Sequence, residues 1–397
     1  MRRQANTKGD FALAHWSASP VLIGLALGFL VGPAGLNLIE PQLPDDSALI
    51  RSLTEAILLF SLFCVGLRLR TPFEWRAWRG PLQLSSVALL GTVLLGAAAA
   101  HLILGMSALQ CLLVAAILAP TDAALAAQLH APAECVGDPM SQALAAEGAI
   151  TSAIAIPLVV LVLTLMGVSV RGLGVFGSVT LTGLWSLAGG ALLGWLLGMA
   201  VSRWLSRLDR VREGDLLEEL TVFATAALAY TCAVALRTDA LLAVLAAGLA
   251  VSHTGGLRPR TRTPPLGARV LRLAAGAERA GSLLAAALAG ALLGSVGLSV
   301  RAVLYAASVL LVVRPLAVRL GLLRWGPAFR ERWALELFAA RGAAPLCCLA
   351  LAIEHGLPDA FARLLATAVL TVIVGSMLSS AIAAGVVRRP TPGAVDL

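Results

Sequence analysis

Long apolar stretches, separated by short polar connections rich in arginine, set the pattern of this chain. Runs long enough to cross a bilayer, about 20 residues each, fall near 18–39, 48–67, 81–105, 107–129, 140–167 and 174–202. Six more fall near 216–236, 238–254, 275–297, 299–323, 333–355 and 361–387. Their periodicity is helical or featureless, without the alternation of a membrane barrel. The pattern predicts an all-α polytopic membrane protein with about 12 transmembrane helices, the run at 238–254 being the shortest.

Composition agrees. Of 397 residues, 59% are AVILMFWYC and only 13% are charged, against about 25% charged in a soluble domain. A single soluble core of this length cannot hide so much apolar surface, which argues against a cytosolic enzyme or a disordered chain. The net charge of +8 raises the question of nucleic acid. The basic residues, however, cluster between apolar runs and form no stripe with interleaved aromatics. They read as topology. With the N-terminus inside, the inside segments hold 22 Lys and Arg and the outside segments four: Arg171, Arg237, Arg301 and Arg363. That bias predicts both termini inside a bacterial cytoplasmic (inner) membrane. Residues 1–17 are then a cytoplasmic N-terminal segment, 18–387 a single transmembrane transporter domain, and 388–397 a short cytoplasmic tail. Arg2 and Arg3 precede an apolar run too long for a signal-peptide core and without a clear cleavage site. No regulatory domain is expected after the last span.

The six Cys (64, 111, 135, 232, 347 and 348) form no CxxC pair, and five lie in apolar runs, where a thiol packs as a small hydrophobe. No disulfide, resident metal or cofactor is expected. The five His (15, 101, 130, 253 and 355) lie toward span ends. Glycines recur every four residues at Gly24, Gly28 and Gly32, at Gly190, Gly194 and Gly198, and at Gly290 and Gly294. This spacing lets helix backbones approach closely, either inside the protein or at a subunit interface, for which the first span is the best candidate.

A charge deep in a bilayer costs several kcal/mol and marks a transport path or a buried pair. The candidates are Asp122, Glu147, Arg314, Glu336 and Arg341, with Arg51 and Glu55 able to pair four residues apart on one face. Span 4 reads Ala119-Pro120-Thr121-Asp122. Proline in a helix interior removes a donor and frees a carbonyl. The Asp122 carboxylate, the Thr121 hydroxyl and freed carbonyls could therefore replace a small cation's hydration shell. Glu147 and Thr151 are four apart and share a face in span 5, next to Ser152. Span 11 carries Arg341, Gly342 and Pro345 and is a second candidate for a broken helix. Glu147 is the expected partner of Arg341, as a structural charge pair. Spans 1–5 and 8–12 form two five-helix units of opposite orientation in which the Pro-interrupted spans 4 and 11 correspond. Inverted repeats with paired broken helices are the layout of many secondary transporters. Asp122 and Arg341 would offset the half-helix end charges there.

At these residues the chain resembles the monovalent cation:proton antiporter family of bacterial sodium/proton exchangers. The stretches APTDAALAAQL (119–129), AEGAITSAIAIPLVV (146–160), ALELFAARGAAPLCCLALA (334–352) and LLFSLFCVGLRLR (58–70) carry the likeness, helped by LLAVLAAGLAVSH (241–253) and VVRPLAVRLGL (312–322). The resemblance implies a sodium/proton antiporter-like fold with core helices about 81–167 and 299–387 moving against interface helices about 18–67 and 174–297, in a homodimer. It implies exchange of Na⁺ or K⁺ for H⁺ by alternating access, with no catalytic residues and no cofactor. Asp122, Thr121, Glu147, Thr151 and Ser152 become ion-binding or proton-coupling candidates, with the helix breakers Pro120, Gly342 and Pro345 around them. The partners are the transported cation, the proton and the lipid bilayer, with no nucleic acid. Four positions depart from the family. Thr151-Ser152 stands where the family has Asn-Asp, Gly148 replaces a serine, and Arg68 stands where an acid is often found. A transporter of the same fold with altered coupling or a different solute therefore stays open. An integral membrane enzyme would need polar clusters on sizeable loops, and a passive channel would need a polar-lined span; neither pattern is seen.

Overall fold

The computed structural model describes residues 20–69, 75–122, 139–168, 179–207, 216–254, 267–322 and 340–387. The N-terminal segment, the tail 388–397, Glu336, His15, His130, Cys135 and many of the connecting arginines lie outside the described residues.

The described residues form twelve helical segments and are all-helical. They are α1 (Pro20–Val31), α2 (Ser47–Arg68), α3 (Trp75–Gln83, continuing through Leu84–Ala88 and Leu89–Leu104), α4 (Ala108–Leu118), α5 (Pro139–Leu165) and α6 (Val179–Arg207). Then follow α7 (Leu216–Ala235), α8 (Ala240–Thr254), α9 (Gly267–Val296), α10 (Val300–Ser308, continuing through Val309–Val313 and Arg314–Gly321), α11 (Ala343–Glu354) and α12 (Asp359–Val387). Seven of the stretches are long and apolar enough to cross a membrane, including Ser47–Arg68, Gln142–Leu165, Val270–Val296 and Asp359–Ile382. The protein is a multi-pass membrane protein.

Local chemistry sets the element ends. Gly105, at φ 69°, closes α3 in the left-handed conformation, and its N–H reaches the His101 carbonyl. Ser107 then opens α4, its N–H donating to Oε1 of Gln110 at 3.1 Å. Ser299 caps α10 by accepting the Ala302 N–H at 3.2 Å. Both α3 and α10 contain a π turn, at Leu84–Ala88 and Val309–Val313. In α10 the cause is Pro315. It has no N–H for the Leu311 carbonyl, so the helix widens just before it.

The glycine stripes are used inside the chain. A Cβ on Gly28 would sit 1.9 Å from the Ala287 carbonyl oxygen, and one on Gly24 would sit 2.6 Å from that of Leu283. So α1 lies backbone to backbone on α9, and Gly290 answers from the α9 side against Leu25. Gly190, Gly194 and Gly198 do the same for α6 against Asp239, Ala243 and Ala247 at the start of and along α8. The subunit-interface reading of the first-span stripe is thus corrected: that face is filled by α9.

At the centre, every residue of α11 from Ala343 to Ile353 is buried, as is α4 from Leu113 to Leu118. These short helices lie within protein rather than against lipid. That is the condition for tolerating non-helical backbone at membrane depth.

Candidate functional site

The last turn of α4 gives way at Leu118, and Ala119-Pro120-Thr121-Asp122 runs on without helical structure. Pro120 cannot donate within a helix, and its ring would crowd the carbonyl four residues back. On the other side, Ala340-Arg341-Gly342 is also non-helical, and α11 starts at Ala343. Pro345 is the third residue of α11, where its missing N–H falls among donors that have no helical partner in any case.

These two strips touch. The Asp122 N–H donates to the Ala340 carbonyl at 2.9 Å, and the Ala343 N–H donates to Oδ2 of Asp122 at 3.3 Å. The carboxylate thereby sits at the N-terminal end of α11, where free N–H groups and the helix dipole favour negative charge. The Arg341 side chain answers in the opposite sense. Its Nε donates at 2.7 Å to the carbonyl of Leu118, the last residue of α4, where the dipole favours a cation. The end of α4 and the start of α11 are therefore each capped by a charged side chain from the other strip.

Helix α5 holds this crossing in place. The Thr121 N–H reaches Oγ1 of Thr151 at 3.4 Å, and Ser152 Oγ donates to the Thr121 carbonyl at 3.0 Å. Thr151 Oγ1 in turn donates to the Glu147 carbonyl at 2.9 Å. Thr121, Thr151 and Ser152 are all buried. The structure thus brings Thr121, Asp122, Thr151, Ser152 and Arg341 to one place.

Glu147 belongs to a different pair than expected. The Glu147–Arg341 pair is not formed. Instead Nη2 of Arg314 lies 2.8 Å from Oε1 of Glu147, with both side chains at most 3% exposed. The π turn that Pro315 imposes on α10 adds a residue just before Arg314. That extra residue turns the following face by about 100°. Arg341, meanwhile, is fully buried, and its Nε is taken by the Leu118 carbonyl. Its own N–H donates to Ser376 Oγ at 3.0 Å. Nη1 and Nη2 of Arg341 have no hydrogen-bond partner among the described residues.

A cavity of about 340 Å³ adjoins the crossing. Asp122 and Ala343 line it together with Ser61 of α2 and Glu278 and Ser282 of α9, amid leucine, isoleucine and alanine. This is room for a partly hydrated ion, since a water needs about 30 Å³. Sequence reasoning missed Glu278, which lies at the start of the expected span 275–297 and read as an end residue. The true helix begins at Gly267, so Glu278 is well inside it. The signal was the apolar spacing of Val270, Leu271, Leu273 and Ala274 upstream. Ser376 carried no signal of its own.

A short helix ending and another beginning at one buried meeting point, inside a multi-pass helical protein, fit a class, the scaffold of secondary ion transporters. The family model described as "Sodium/hydrogen exchanger, transmembrane" matches residues 13–391, and the chain belongs to that family, which is one of transporters and not of enzymes. The fold is similar to that of the sodium proton antiporter MjNhaP1 from Methanocaldococcus jannaschii at pH 8, with a TM-score of 0.69 at 18% identity. That match covers 95% of this chain and 100% of the other. An electron-microscopy structure of the same antiporter gives a TM-score of 0.71 at 16% identity, covering 94% of this chain and 92% of the other. At such identities the likeness is one of fold.

Proposed function

We propose that this protein exchanges a monovalent cation, Na⁺ or K⁺, for protons across the bacterial cytoplasmic membrane by alternating access, with Asp122 as the coupling carboxylate. The observation that carries the proposal is the Asp122 carboxylate, seated where α4 ends and α11 begins and lining a cavity. A carboxylate that binds either a cation or a proton couples the two if its empty anionic form crosses poorly. Desolvation favours the proton and a nearby cation favours ionisation. Lone pairs of Thr121, Thr151 and Ser152 supply neutral oxygens, while Glu147 and Arg314 brace the core.

The moving core comprises the helices within about 81–167 and 299–387. The interface helices lie within about 18–67 and 174–297 and face a second copy in a homodimer, with both termini inside. The π-turn helices α3 and α10 come third, and the short helices α4 and α11 fourth, in the runs α1–α5 and α8–α12, an order that supports the proposed inverted five-helix units and this division. Between the two parts, Nε of Arg51 on α2 lies 2.6 Å from Oε2 of Glu354 at the end of α11. Such a fastening must open if the core swings.

The test is proton movement in everted vesicles on addition of Na⁺, K⁺ or Li⁺. Asp122→Asn is expected to abolish the signal; exchange that persists in this variant rules out Asp122 as the carrier. A second reading, a same-fold transporter with altered coupling or another solute, is favoured by one observation. Ser152, which cannot ionise, spends its hydroxyl proton on the Thr121 carbonyl. Solute-dependent stabilisation of the purified protein, without any cation-driven proton signal, would select it.

A further inference from the structure

We infer that Glu278 is a second cation-binding carboxylate of this transporter and that Arg68 is a tethered cation holding the place of the transported one. The inference rests on the exchange reading above and extends it to a second carboxylate lining the same cavity. Glu278 is 3% exposed. Nη2 of Arg68 donates to its Oε2. Oε1 has no hydrogen-bond partner among the described residues. Leaving a buried carboxylate oxygen unpartnered is costly. Glu147 of the core brace also leaves one oxygen open among the described residues; what sets Glu278 apart is that it lines the cavity that Asp122 lines.

The surroundings fit that use. Glu278 shares the cavity wall with Ser61 and Ser282, and Asp122 lines the same cavity. The Ser282 hydroxyl donates to the Glu278 carbonyl one turn back, at 2.9 Å, which keeps Ser282 beside Glu278. Carboxylates and hydroxyls are the hard oxygen donors that replace an alkali ion's water. Arg68 is the last residue of α2, and its side chain is 24% exposed. A long, partly exposed arginine can swing its head to water while its stem stays on apolar surface. The guanidinium thus neutralises Glu278 when the cavity is empty and can leave when a cation arrives. The ion meets Glu278 on the way to or from Asp122, in competition with Arg68.

The experiment uses purified full-length protein in proteoliposomes with an internal pH dye and a titration of NaCl, KCl or LiCl. A parallel measurement follows cation-dependent thermal stabilisation in detergent. Glu278→Gln is expected to raise the half-saturating cation concentration at least ten-fold, and Arg68→Gln to lower it several-fold because the competitor is gone. The exchanged pair R68E/E278R restores the ion pair but is expected to keep the weakened half-saturation. The inference is overturned if Glu278→Gln leaves half-saturation unchanged, or if the exchanged pair recovers the wild-type value, which makes the pair a brace only. Should Glu278→Gln fail to fold, Arg68→Gln decides, and an unchanged or raised half-saturation there overturns the inference. Absence of any cation-driven proton flux in the wild type counts against the exchange reading. Loss of cation-dependent stabilisation in the Glu278 variant then still reports binding at this carboxylate.

Discussion

Removing one member of the Glu147–Arg314 pair leaves the other charge buried and alone, with side chains only 2–3% exposed in the folded protein. Breaking such a pair from one side typically costs about 3–5 kcal/mol, because the survivor keeps its desolvation penalty without compensation. Here the pairing is already incomplete: Oε2 of Glu147 and Nε of Arg314 have no hydrogen-bond partner among the described residues, which places the loss toward the lower end. For a chain of this size each kcal/mol moves the midpoint by about 1–2 °C, extending the trend for smaller domains. Glu147→Gln and Arg314→Gln should therefore each lower Tm by roughly 3–8 °C in detergent. The double replacement Glu147→Leu with Arg314→Met should recover most of that, since an apolar pair of similar volume removes both penalties. Thermal unfolding followed by fluorescence, run as a double-mutant cycle, measures the coupling. The same cycle between Glu147 and Arg341 should give a clearly smaller term. If Glu147 couples more strongly to Arg341 than to Arg314, the assignment of partners is wrong.

Four further outcomes are expected. Gly194→Ala and Gly28→Ala place a methyl 1.9 Å from a backbone carbonyl oxygen and should destabilise by about 1–3 kcal/mol or more, seen as lost expression and lowered Tm. Gly276→Ala in α9 meets nothing within 4 Å and should be neutral or stabilising by up to about 1 kcal/mol. Asp239, in the turn before α8, accepts the Leu242 N–H at 2.7 Å, yet burial pushes its carboxyl up to about 6. Because the folded form holds its proton more tightly than the unfolded chain, stability falls as pH rises from about 4 through about 6. Relative to Asp239→Asn, which keeps the cap without titrating, the wild type should lose Tm across that window, and parallel curves would refute the shift. Arg51→Ala removes a half-exposed contact worth at most about 1 kcal/mol to stability, so Tm should hold within a few degrees while transport rate changes several-fold; an unchanged rate shows that the contact does not gate.

What could be read in the sequence, and what could not, follows from physics. Span positions are legible because a bilayer demands about 20 apolar residues, and α2, α5, α9 and α12 fall on the expected runs. The end of α4 and the start of α11 are legible because Pro120 and Gly342 act locally on their own backbone. The glycine spacing announced close backbone contact, but not with which partner, since the same stripe serves an inner or an outer surface. The charge partners were least legible. Which way Arg314 points depends on a single extra residue in the turn before it, and no period of hydrophobic positions reports a π turn of five residues. Glu278 was hidden for a related reason. Arginines at 269, 272 and 279 made that stretch look like a helix end, although the helix had started earlier.

The corrected pairing changes the electrostatic logic of the site. With Glu147 neutralised by Arg314, the crossing holds Asp122 and Arg341, each set against the opposite end charge of a half helix. Asp122 with a proton and Asp122 with a monovalent cation then leave the same net charge at the crossing. Empty Asp122 leaves one more negative charge there, held by the N-terminal end of α11 and balanced by Arg341, so it differs from both loaded forms. On the proposed mechanism the two loaded forms cross on equal terms and the empty form does not, which is the condition for exchange. Had Glu147 instead depended on Arg341, a proton or cation at Asp122 would have disturbed the brace that holds the core together. Keeping the brace on Arg314 lets the site change its occupant while the packing of α5 and α10 stays as it is.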